Sequence, residues 1–147
     1  MKWIFLFITV IRFNFCFYAQ TKTSVLDDVI ITNTPLLYNN ADSGLIVAKQ
    51  WLSQSRKEKN VMAQVRSMII ISNLLSYKGE KSKAESKMLE TLDFARTQKN
   101  IEALEHVLIS KAGHYFSLQN GKKGVEDYDE IMSLAKPTIQ KSIVIDY

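Results

Sequence analysis

Apolar residues recur at helical intervals through residues 43–136, and the pattern repeats. The stretch Ala84–Arg96, AESKMLETLDFAR, has one copy before it, Gly44–Arg56, and another at the same spacing after it, Gly124–Lys136. Gly44, Ala84 and Gly124 hold the first position. Ala48, Met88 and Tyr128 follow, then Leu52, Leu92 and Met132, then Ser55, Ala95 and Ala135, then Arg56, Arg96 and Lys136. Offsets of four, eight and eleven put these positions on one helical face. A small first residue lets two helix backbones approach closely, and the larger residues after it fill the groove between helices. Asn60 and Asn100 read as the closing residues of two copies. A single helix cannot bury such a stripe alone, so the copies must stack.

A partner helix precedes each copy. In the second repeat it is Val61–Tyr77, with apolar Val65, Met68, Ile69, Ile71, Leu74 and Leu75. In the third it is Ile101–Leu118, with Leu104, Leu108, Ile109, Ala112, Tyr115 and Phe116. These two align better with a slip of one position from the register of the other copies, pairing Ser72 with Gly113 and Leu75 with Phe116. That slip predicts a turn one residue shorter in the third repeat. The intervening stretches YKGEK and QNGKK both carry Gly, as a tight helix-to-helix turn wants.

The first repeat is less regular. Ser24–Thr32 predicts a short helix, capped by Ser24, with Val25, Leu26, Val29 and Ile30 on one face. Pro35 is expected to break or restart it, with Thr34 as cap and Leu36, Leu37 and Tyr38 adding apolar surface. Asn39 and Asn40 form a turn, and Asp42 or Ser43 caps the helix through Lys57. The repeats thus run about 22–60, 61–100 and 101–137, and Pro137 ends the last helix. The tail 138–147 holds Ile143, Val144 and Ile145, where a further repeat would begin, so a longer protein or a covering partner is expected.

The spacing resembles the tetratricopeptide repeat, a helix–turn–helix unit with the signature W-x2-L-G-x2-Y…A-x3-F. Here it takes the form Met68-x2-Ile71-Ser72-x2-Leu75…Ala84-x3-Met88, and Ile109-x2-Ala112-Gly113-x2-Phe116…Gly124-x3-Tyr128. Gly79 falls at that family's turn glycine, whereas the Trp and the closing Pro after Arg96 are absent and the period exceeds the family's usual length of about 34. The longer period is similar to exported helical-repeat regions of bacterial sensor kinases and transcription regulators. The resemblance covers about Lys22 to Pro137. It implies an all-α, right-handed helix-pair solenoid of three antiparallel repeats, with a concave face lined by the first helix of each. On that face it places Arg66, Ile69, Asn73 and Tyr77 from repeat two, and Ser110, His114 and Ser117 from repeat three. This is a mixed groove suited to an extended or helical peptide. Asn73 stands where some family members use Asn to hold a peptide backbone.

Charge and composition refine this picture. Residues 1–19 read as a secretory signal: Lys2 supplies a positive start, Trp3–Ile11 is apolar except for Thr9, and Ala19 offers a cleavage point. An uncleaved anchor is the alternative. Cleavage would remove Lys2 and Arg12, lowering the net charge from +4 to +2, and would also remove Cys16, the chain's one cysteine. A nearly balanced mature chain gives no support to nucleic-acid binding. Lys78, Lys81, Lys83 and Lys87 cluster at a turn, but Glu80, Glu85 and Glu90 are interleaved, which reads as a solvated edge. His106 and His114 are the only histidines, and eight residues of helix turn them about 80° apart. Neither a metal site nor a nucleophile–base pair nor a phosphate loop can be assembled, so no metal, cofactor or enzymatic role is expected.

The sequence therefore points to a protein-interaction scaffold exported to the periplasm or cell envelope. The alternative is the N-terminal sensory part of a sensor kinase or regulator. Self-association is expected through the last repeat, where Val125, Ile131 and Leu134 lie outward.

Overall fold

The computed structural model describes residues 25–117, 122–126, 129, 130, 133 and 134, the side chains of residues 116 and 117 excepted. The chain is all-helical over these residues, with no strand among them. Helix α1 spans Val25–Leu37, α2 Ala41–Lys57, α3 Val61–Tyr77, α4 Lys81–Thr97 and α5 Ile101–Ser117. Helices α2 to α5 each have 17 residues.

Helices α2 to α5 start at equal intervals, at Ala41, Val61, Lys81 and Ile101, so one helix and its connection make the repeating unit. Each of the three connections between these helices has three residues, and its middle one, Lys59, Gly79 or Lys99, is left-handed with φ of 53°, 79° and 53°. This reverses the chain and lets the last turn recover its orphan carbonyls. After α2, the Asn60 amide donates to Ser55 O at 3.0 Å and the Lys59 amide to Arg56 O at 3.2 Å. After α3, the Glu80 amide donates to Leu75 O and the Gly79 amide to Ser76 O, each at 2.9 Å. The paired bonds form a Schellman ending, for which a left-handed residue is needed.

The residue after the left-handed one opens the next helix. Asn60 Oδ1 accepts from the Ala63 amide at 3.0 Å, and Asn100 Oδ1 from the Ala103 amide at 3.0 Å. These asparagines are N-caps, not closing residues as the repeat pattern had them. Asn40 caps α2 in the same way, accepting from the Ser43 amide at 3.1 Å, in place of the expected Asp42 or Ser43. Glu80 opens α4 with no side-chain cap bond.

Pro35 does not divide α1. It lies in the last turn, two positions before the final residue Leu37, so its missing N–H removes only a bond of that turn. Continuing the helix buries Leu37 against α2, and burying a leucine contributes about 1.5–3 kcal/mol. The expected cap Ser24 lies outside the described residues.

Two apolar clusters hold the helices. One joins α1, α2 and α3 around Ile30, Leu45, Leu52, Met68 and Leu74; the other joins α3, α4 and α5 around Val65, Met88, Leu92, Val107 and Leu108. Helix α3 serves both, with nine of its residues buried, which explains why its sequence lacks a single apolar stripe. It also touches α1 and α5, the neighbours one helix removed on either side.

The small first positions work as close approaches. A Cβ added at Gly44 would lie 2.5 Å from the backbone oxygen of Leu37. Ala84 is fully buried, and the Ser72 hydroxyl donates to its carbonyl at 2.6 Å, tying α3 to α4. Gly124 is buried too. Ala48, Met88, Leu52, Leu92, Ser55 and Ala95 are all buried as the repeat requires, while Tyr128, Met132 and Ala135 lie outside the described residues.

Helices α3 and α5 keep the register of the other copies, without the expected slip of one position. Ala63 and Ala103, Met68 and Leu108, Ser72 and Ala112, and Leu74 and His114 are buried in pairs. Gly113, aligned with Ser72 by the slipped reading, is exposed with nothing near its would-be Cβ. The N-caps fix this register, because Asn60 and Asn100 hold the same place relative to α3 and α5. The predicted shorter turn at 118–121, the leader at 1–19 and the tail at 138–147 all lie outside the described residues. Among the described residues, no helix is long and apolar enough to cross a membrane.

Candidate binding groove

Because α1, α3 and α5 contact in succession, side chains from all three converge on one cavity of about 260 Å³. Ile30, Ile31 and Thr34 come from α1, Tyr38 from just beyond it, Arg66, Ile69, Ile70 and Asn73 from α3, and His106 and Ser110 from α5. Spacings of three, four and seven residues keep each contribution on one helical face. Ile30, Ile69 and Ile70 are buried, with exposures of 1%, 5% and 5%, and form an aliphatic floor.

The polar side is built around an ion pair. Arg66 Nε lies 3.1 Å from Asp27 Oδ1, whose side chain is only 8% exposed against 24% for Arg66. Burial pushes the Asp27 carboxyl above its ordinary range; the Arg66 charge opposes this, while Asp28 and Glu102 reinforce it. Burial holds His106 below the ordinary histidine range, the Arg66 charge adds to that, and Glu102 opposes it. His106 is thus neutral at pH 7. The Ser110 hydroxyl donates to His106 O at 2.9 Å and the Thr34 hydroxyl to Ile30 O at 2.5 Å. Both hydroxyls give their protons to their own helices and present lone pairs elsewhere. Burial also raises the Tyr38 phenol, offset in part by a side-chain hydrogen bond with Asn73.

Of the seven residues expected on the concave face, the structure brings Arg66, Ile69, Asn73 and Ser110 to this cavity. Tyr77 is not among its lining residues. It is 68% exposed, one turn past Asn73, where its ring meets the edge of Tyr38 at 6.0 Å. His114 is in the core at 7% exposure, its imidazole held below the ordinary range by burial and raised in part by Glu85 of α4. The Ser117 side chain lies outside those described. The one-residue register error explains the placement of His114. In the true register His114 takes the place of core Leu74, and His106 takes the place of Arg66. His106 and Tyr38 are the lining residues that the sequence pattern missed; the matched caps Asn60 and Asn100 would have located His106.

Elsewhere the lysine edge is largely paired: Lys78 with Asp42 and Glu80, Lys83 with Glu80, and Lys87 with Glu90. On the third repeat Val125 is 51% exposed, while Leu134 packs against the α3–α5 cluster and Ile131 lies outside the described residues. Among the described residues, no group of three or more His, Cys, Asp or Glu could hold a metal.

The architecture defines an all-helical protein of adjacent helix pairs. Compared with protein-family models, curated proteins and solved structures, the chain matches none.

Proposed function

We propose that this chain is an exported protein-interaction scaffold, a helix-pair solenoid of the tetratricopeptide type that holds a peptide segment along α1, α3 and α5. The observation that carries this reading is the shared cavity. Three helices, each the first of its pair, contribute an aliphatic floor and a polar rim to one continuous surface. Such a surface takes an apolar side chain in its floor while rim groups hydrogen-bond the peptide backbone. Asn73 is suited to the second task, since its amide both donates and accepts.

Selection of a random peptide library against the full chain tests this. Enriched peptides should lose binding on Asn73→Ala and on Ile31→Asp, two cavity-lining positions that are not fully buried. Selected peptides indifferent to both substitutions would place recognition elsewhere. Export is tested separately by fusing residues 1–24 to a phosphatase active only outside the cytoplasm. A silent fusion would remove the envelope from the proposal.

The alternative, the sensory part of a larger regulator, draws on a different observation. A cavity of about 260 Å³ is at the small end of ligand pockets and fits a small effector as well as one side chain.

A further inference from the structure

The α1–α3–α5 cavity separates its chemistry by side. Ile30, Ile31, Ile69 and Ile70 supply aliphatic wall, and Arg66 is the one lining residue that is charged at pH 7. Arg66 lines the cavity; its Nε is buried 3.1 Å from Asp27 Oδ1, while 24% of the side chain stays exposed. Asp27 therefore holds the guanidinium from its Nε side. A guanidinium carries five N–H donors in a fixed fork, so the terminal Nη edge keeps donors for a ligand. A carboxylate fits that edge with two parallel bonds, and does so without displacing Asp27. Thr34 and Ser110 do not compete, since their protons are committed to Ile30 O and His106 O.

Size narrows the choice. A cavity of about 260 Å³ lies just below the roughly 300–1,000 Å³ usual for ligand pockets, which favours a small ligand over a peptide of several residues lying wholly inside.

We propose that this cavity binds a small free aliphatic monocarboxylate, its carboxylate on the Nη edge of Arg66 and its chain against the isoleucine walls. The proposal goes beyond the peptide-scaffold reading and does not depend on it. It would give the chain a metabolite-responsive input at the face where its first helices meet.

The test uses the full chain, with 4-methylpentanoate and its amide as probes, titrated by calorimetry and ligand-observed NMR. The two have the same shape and number of non-hydrogen atoms and differ in charge. The acid should bind saturably and the amide at least about tenfold more weakly, the usual worth of a charge-assisted bond. Ile31→Trp should abolish binding of the acid; Ile31 is half exposed, so the fold is not at risk. Arg66→Lys keeps a cation beside Asp27 but loses the fork, and should weaken the acid about tenfold with no effect on the amide. Equal binding of acid and amide, no binding of either, or acid binding that survives Ile31→Trp or Arg66→Lys would overturn the proposal. So would tenfold tighter binding of an acetylated peptide ending in leucine carboxylate, which would identify chain ends as the ligand. That last result would leave the peptide-scaffold reading standing, whereas peptides indifferent to Asn73→Ala and Ile31→Asp would remove that reading and not this one.

Discussion

Gly44 and Gly113 are both helical glycines, and alanine at the two should move stability in opposite directions. Replacing a helix-interior glycine by alanine ordinarily gains roughly 0.5–1 kcal/mol, because the unfolded chain loses freedom. At Gly113 in α5 nothing lies within 4 Å of the new Cβ, so the full gain is expected. At Gly44 in α2 the new Cβ would stand 2.5 Å from Leu37 O and 3.1 Å from Leu37 Cβ. The first of these is backbone at the end of α1, which cannot rotate away, so the two helices must separate. Overpacking of this kind costs about 1–3 kcal/mol, and after the propensity gain a net loss of up to about 2.5 kcal/mol remains. Urea unfolding followed by circular dichroism would measure both. In a domain of this size each kcal/mol shifts the melting temperature by roughly 2–4 °C, which provides a second reading. If Gly44→Ala stabilised as much as Gly113→Ala, the close α1–α2 approach would be refuted, and with it the role given to the small first position of the repeat.

The caps should behave as a set: Asn60→Ala and Asn100→Ala should each lose about 1 kcal/mol of unfolding free energy, and equal midpoints for wild type and both variants would contradict the cap geometry. Lys59→Gly and Lys99→Gly should each raise the unfolding free energy by up to about 1 kcal/mol, seen as a higher urea midpoint, because both lysines sit at φ 53°; a fall at either site would refute the left-handed connection there. Histidine linkage should appear in the pH dependence. His106 and His114 have folded-state values below the ordinary 6.5, so their contribution is complete above that pH. It is lost as the pH falls from 6.5 towards the folded-state values, where the unfolded chain binds more protons. Stability curves that stay flat over this window, or are identical for His106→Gln and wild type, would contradict the burial of the imidazole.

The sequence alone determined the helices and most of their buried positions. A stripe such as Ala84, Met88, Leu92 and Ala95 can be buried only on a helix, and its recurrence at Gly44, Ala48, Leu52 and Ser55 marks equivalent helices. Gly79 marked a reversal for a local reason, since its left-handed backbone strains any residue with a Cβ. Tertiary structure decided what local signals leave open. Pro35 is a helix breaker by propensity, yet packing of Leu37 on α2 outweighs one missing terminal bond. Lys59 and Lys99 carry no turn signature, yet each is left-handed at the same place after its helix as Gly79. Helix α3 is buried on so many sides that its apolar pattern has no phase, so matching α5 to it by hydrophobicity slipped by one residue. That slip sent His114 to the groove and left His106 out. The cavity itself needs α1, α3 and α5 to meet across long separations in the chain: Asp27 reaches Arg66, and Tyr38 reaches Asn73, only because α1 packs on α3. A periodic pattern states which face of a helix is buried, but not which distant helix covers it, and the groove lies between helices that are not consecutive.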